Sequence, residues 1–100
     1  MKNKTPEQII DTTVAHFGLN RERLMAIKRM EARDHAEGYG LAWLIIQALC
    51  AHMTGLTMYK LAGILPRTQQ SIQRARNKID MECRTNPKVR DDVMAIIKAL

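Results

Sequence analysis

The sequence predicts an all-α fold of about six helices, and three observations carry that expectation. No stretch alternates apolar and polar residues over strand length, so a half-buried β-strand has nowhere to form. Apolar residues recur instead every three or four positions, the spacing that places them on one face of a helix. Helix-start signals are also spelled out, above all in Thr5-Pro6-Glu7-Gln8 and Asn86-Pro87. In each, a side-chain oxygen able to accept an orphan amide proton precedes a proline, which the first helical position tolerates.

Thr5, Pro6 and Gln8 together form a capping box with proline at the first helical position. Ile10, Val14 and Phe17 repeat at helical spacing with Ile9 and Thr13 beside them, and Gly18 suits a left-handed terminating residue. The first helix is therefore expected over residues 6–17, after a flexible basic terminus over residues 1–5. Asn20 caps a short second helix through Leu24 and Ile27. The apolar period then lapses over residues 28–35, which predicts a basic loop or ragged helix start in which Lys28, Arg29 and Arg33 are interleaved with Glu31 and Asp34.

The longest helix is expected over residues 36–53, with Leu41, Leu44, Ile45, Ala48, Leu49 and His52 as its apolar stripe and Trp43 off the centre, at an edge of the core. Gly55 ends it. Thr57 caps a helix over residues 58–62, and Thr68 caps another running to about residue 84. Pro87 opens the last, with Val89, Val93, Ile96, Ile97 and Leu100 on its apolar side.

One hundred residues at 46% hydrophobic content suit one core, hence a single helical domain over residues 6–100 without room for an elaborate catalytic cleft. The longest apolar run, from Leu41 to Ala51, is shorter than the ~20 residues a bilayer span needs. Cys50 and Cys83, with no signal peptide ahead of them, point to buried thiols in a reducing, cytoplasmic setting. Cys50 and His52 do not have a zinc-site spacing, so no metal is expected. Asp91-Asp92, the one adjacent carboxylate pair, falls where acids complement the dipole of the last helix. No nucleophile, base and orienting group can be assembled, and no cofactor motif is present, so an enzyme is not expected.

The charge is distributed unevenly. Between Glu37 and Asp80 there is no acidic residue, while Lys60, Arg67, Arg74, Arg76 and Lys78 lie inside that window. Residues 51–100 carry nine Lys/Arg against four Asp/Glu, and residues 1–50 carry seven against six, so the net charge of +6 sits almost wholly in the second half. Such a field favours a polyanionic partner.

Within the window, residues 55–79 read as a short helix, a tight turn and a second helix, the outline of a helix-turn-helix. Leu61 and Leu65 before the turn, with Ile72, Ala75 and Ile79 after it, supply the inner corner, and Ala62 permits close approach. Opposite them Gln70, Arg74 and Asn77 project outermost, flanked by Ser71, Gln73 and Lys78. Glutamine pairs in bidentate fashion with adenine and arginine with guanine, and a recognition helix reads with its first turns, so Gln69, Gln70 and Arg74 are expected to meet bases. Thr57, Lys60, Arg67 and Lys78 around the helix, with Lys28, Arg29 and Arg33 in the loop, are expected on the DNA backbone.

The order and spacing of these features resemble the C-terminal DNA-binding domain of DnaA, the bacterial replication initiator, a family with a Trp-repressor-like helical fold. The similarity covers about residues 6–100, through PEQIIDTTVAHFGLNRERL, AWLIIQAL, TGLTMYKLAGIL and SIQRARNKI. Where the family's signature begins Arg-Asp-His-Thr-Thr, this chain has Arg67-Thr68-Gln69-Gln70-Ser71. The resemblance thereby adds Thr68 and Ser71 to the expected base-reading set. It also implies that Arg33 stands for a loop arginine that enters the minor groove, although Glu37 and Tyr39 occupy places where further cations would be expected. The function implied is sequence-specific binding of double-stranded DNA by a small replication-associated or transcriptional regulator lacking ATPase activity. The alternative is a protein-interaction module that binds a replication or transcription protein, with Tyr39, Trp43 and Tyr59 as anchors.

Overall fold

The computed structural model describes residues 3–100, and among these the backbone forms seven α-helices and no strand. They are α1 (Pro6–Phe17), α2 (Arg21–Ala26), α3 (Ala32–Ala36), α4 (Tyr39–Met53), α5 (Met58–Ile64), α6 (Gln69–Thr85) and α7 (Pro87–Ala99). Each predicted cap forms. The Thr5 hydroxyl accepts from the Gln8 amide at 3.2 Å while the Gln8 side chain accepts from the Thr5 amide at 3.0 Å. Asn20, Thr57, Thr68 and Asn86 accept from the amides of Arg23, Lys60, Ser71 and Lys88 at 2.8–3.2 Å. Caps of this kind each stabilise by about 1 kcal/mol. Gly18 takes the left-handed conformation, with φ 65°.

The helix beyond the expected six is α3. Residues 28–35, expected as a loop or ragged start, divide into a loop and this single turn, and Gly38 at φ 98° separates it from α4. That break is why α4 begins at Tyr39 and not near residue 36. No residue of α3 is buried, so no apolar period could announce it. Polar contacts hold it instead. The Glu31 amide donates to the Asp34 carboxylate at 3.1 Å, Arg23 bonds both Asp34 and Glu37, and Arg33 Nε donates to Glu37 at 3.1 Å. The Glu31 amide, and then Arg23, hold the Asp34 carboxyl below its ordinary pKa.

Of the terminus expected to be flexible, Met1 and Lys2 lie outside the described residues. Lys4 donates its amide to the Met53 carbonyl at 2.9 Å and its Nζ to the Leu100 carbonyl at 2.8 Å, which ties the start of α1 to the ends of α4 and α7.

Helix α4 is the centre of the fold. It packs against α1 on one side and α6 on another, and both of those also meet α7, which closes a ring of four helices. The radius of gyration of 12.5 Å matches the ~13 Å of a compact fold this size. Surrounded in this way, α4 buries ten residues on all its faces, from Tyr39 to Cys50, rather than one stripe. The expected stripe is therefore corrected. Ile45, Ala48 and Leu49 are buried, but Leu41 and Leu44 are half-buried and His52 is exposed, while Ala42, Ile46 and Gln47 on the other faces are buried. Trp43, expected at an edge, is 2% exposed. Burial pushes the Cys50 thiol up to about 12, so it stays protonated at neutral pH. No helix of the described residues is long and apolar enough to cross a membrane.

This register makes a prediction that the stripe alone would not. Leu49→Ala should cost about 2–5 kcal/mol, as for a fully enclosed leucine, whereas Leu44→Ala should cost about half as much because its side chain is already partly in water. Urea unfolding of both variants measures the difference. Equal losses would mean that the burial assigned to the two faces of α4 is wrong.

Candidate nucleic-acid interface

Helices α5 and α6 are joined by residues 65–68. The Leu65 amide donates to Leu61 at 2.8 Å and the Arg67 amide to Ala62 at 3.2 Å, so the turn is closed by backbone bonds onto the end of α5. Leu61, Leu65, Ile72 and Ala75 are fully buried and Ile79 nearly so, which makes the inner corner as the sequence pattern expects. α6 lays that apolar edge along α4.

The opposite face of α6 is open. Gln69, Gln70, Gln73, Arg74, Asn77 and Lys78 are all exposed, and Gln73 donates to Asn77 at 3.1 Å one turn along. Gln70 and Arg74 make no side-chain hydrogen bond among the described residues, so their recognition edges are free. Gln69 likewise makes no side-chain hydrogen bond among them, whereas the remaining two expected base readers are committed. The Thr68 hydroxyl caps α6, and the Ser71 hydroxyl turns toward α4 and donates to Gln47 Oε1 at 2.9 Å. Gln47 in turn donates to the Trp43 carbonyl at 3.1 Å.

The expected backbone contacts divide in the same way. Lys60, Lys78, Lys28 and Arg29 are exposed and carry no ion pair among the described residues. Thr57 caps α5 with its hydroxyl. Arg33 reaches solvent but is paired with Glu37. Arg67 is half-buried and folds back onto the protein. Its guanidinium lies 4.1 Å from the centroid of the Trp43 ring, Nη2 donates to the Ile27 carbonyl at 2.6 Å, and Nη1 donates to the Pro66 carbonyl at 3.1 Å. Burial, with no acid beside it, lowers its pKa from the usual arginine range. Arg67 thus clamps the loop of residues 27–31 to the start of α6.

Charge is segregated by the fold as well as by the sequence. Arg21 pairs with Glu7 and Asp11, Arg23 with Asp34 and Glu37, and Arg90 with Asp91. Among the described residues, none of Lys60, Arg67, Arg74, Arg76 and Lys78 has such a partner. The first acid past the window, Asp80, stands 3.2 Å from His52. The cations inside the acid-free window are thus left without an acid partner among the described residues, while Arg21, Arg23, Arg33 and Arg90 outside it are paired.

The aromatic anchors expected for a protein contact are mostly enclosed. Tyr39 is 4% exposed, with its hydroxyl accepting from the Asn20 amide and Arg23 stacked on its ring, and Trp43 is interior. Tyr59 alone of the three is exposed, at 77%. Sequence reasoning missed the Ser71 to Gln47 bond, although Gln47 gave a signal: an amide in the middle of an apolar run requires a partner. A scan against protein-family models and a search of the curated proteins return no match for the chain.

Proposed function

We propose that the chain binds double-stranded DNA sequence-specifically through α5 and α6 acting as a helix-turn-helix, in the manner of the DnaA C-terminal domain and the Trp-repressor-like fold it resembles. It would serve as a small replication-associated or transcriptional regulator. The observation that carries this reading is the outer face of α6, where three glutamines, an arginine, an asparagine and a lysine stand exposed with no carboxylate and no ion pair among the described residues. Cations held by protein carboxylates gain little from a phosphate, whereas free ones release counterions on meeting a duplex. The amides beside them match the donor and acceptor pattern of the major groove.

Fluorescence polarisation with a labelled duplex at two salt concentrations tests the proposal. Affinity should fall steeply with salt, and Lys60→Gln or Lys78→Gln should each flatten the dependence of log K on log salt by about 0.9 while weakening all duplexes alike. Absence of binding at low salt would overturn it. In that case the exposure of Tyr59 at 77% and Ile64 at 46%, both on α5, favours the second reading, a protein-interaction module anchored on that helix.

A further inference from the structure

Behind the outer face of α6 lies a cleft of about 300 Å³, bounded by the loop of residues 27–31, by α3 and α4, and by the first turn of α6. Met30, Trp43 and Leu44 give it apolar walls, and Lys28 and Arg67 supply positive charge. No carboxylate lines it. Arg67 is the informative member. Its guanidinium is partly withdrawn from water and has no acid partner, and its two bonds to backbone carbonyls leave three of its five N–H donors unused. A partly desolvated cation with spare donors gains more from an oxyanion than a surface lysine does. The volume exceeds what an inorganic anion fills and sits at the lower end of the range for small-molecule sites, ~300–1,000 Å³. The apolar walls reward a hydrocarbon body as well as a charge.

We propose that this cleft binds a small organic oxyanion, a carboxylate or phosphomonoester head carried on a body of about one ring, with Arg67 and Lys28 on the head and Met30, Trp43 and Leu44 around the body. Arg67 belongs to the turn that launches α6, and Lys28 to the loop it clamps, so an occupant joins the two elements assigned to DNA. Its effect on DNA binding rests on the function proposed above, but occupancy of the cleft does not.

Trp43 is the only tryptophan in the chain, and its indole N–H donates to the Leu24 carbonyl at 3.0 Å, which makes it a local reporter. Phenyl phosphate is titrated into ¹⁵N-labelled protein at constant pH and ionic strength while the Trp43 indole cross-peak is followed. A saturable shift in the millimolar range is expected for a probe of that size. Inorganic phosphate, which lacks the body, should bind about tenfold more weakly. Lys28→Gln, at an exposed rim position that leaves the core untouched, should weaken phenyl phosphate about fivefold or more, and Lys98→Gln, at the far end of α7, should not change it. No saturable shift, or undiminished affinity in Lys28→Gln, overturns the site. Inorganic phosphate binding as tightly as phenyl phosphate overturns the organic ligand and leaves only a seat for a backbone phosphate. Because these measurements use free protein, a failure to bind DNA remains distinguishable from a failure of the cleft.

Discussion

Trp43→Ala is expected to lower stability by about 3–5 kcal/mol, a large share of the ~5–15 kcal/mol by which a domain of this size is stable. Three losses coincide at this residue. The ring is 2% exposed, so its removal leaves a cavity in the middle of α4. Its indole N–H donates to the carbonyl of Leu24, a residue with no exposed surface, and that carbonyl is left with only the longer bond from the Ile27 amide at 3.3 Å. The Arg67 guanidinium stacked at 4.1 Å loses the face that covers it. Trp43→Phe retains most of the ring and removes the donor, so it should cost about 1–3 kcal/mol. Urea unfolding followed by circular dichroism gives both values. An alanine variant within about 1 kcal/mol of wild type would show that the ring is not part of the core.

The largest functional effect is expected at Gln70 and Arg74, which stand one turn apart near the N-terminus of α6, exposed and unbonded. Each good bidentate contact discriminates against a wrong base by about 1–3 kcal/mol. Sites selected from a random duplex library by wild type should therefore lose preference at one position in Gln70→Ala and at another in Arg74→Ala. Non-specific affinity should hold in the first and fall in the second, which also removes a charge. Gln73 and Asn77 bond to each other further along the helix and are expected to matter less. If both variants select the wild-type site with full preference, α6 does not read DNA.

Six of the seven described helices were legible in the sequence because helix ends are local. Thr5, Asn20, Thr57, Thr68 and Asn86 each accept from an amide two or three residues away, so a tetrapeptide suffices to find them. The inner corner of α5 and α6 was legible too, since Leu61, Leu65, Ile72, Ala75 and Ile79 keep a simple period and are all buried. The acid-free window is a count along the chain and needs no structure.

The tertiary structure decided what depends on distant partners. A periodicity argument assigns a helix one apolar side, but α4 is enclosed by several helices at once, so Trp43, Ile46 and Gln47 are buried beside the expected Ile45 and Leu49. α3 buries nothing and is held by ion pairs to Arg23, which no apolar pattern records. Arg67 was expected on the phosphate backbone because it flanks the proposed recognition helix, yet it bonds the Ile27 carbonyl 40 residues away. Ser71 likewise turns to Gln47 across 24 residues. A backbone conformation is set within a turn of the residue that causes it, whereas the partner of a long polar side chain is chosen by whichever element packing brings beside it. The outer edge of α6 could therefore be projected from sequence, and the clamp behind it could not.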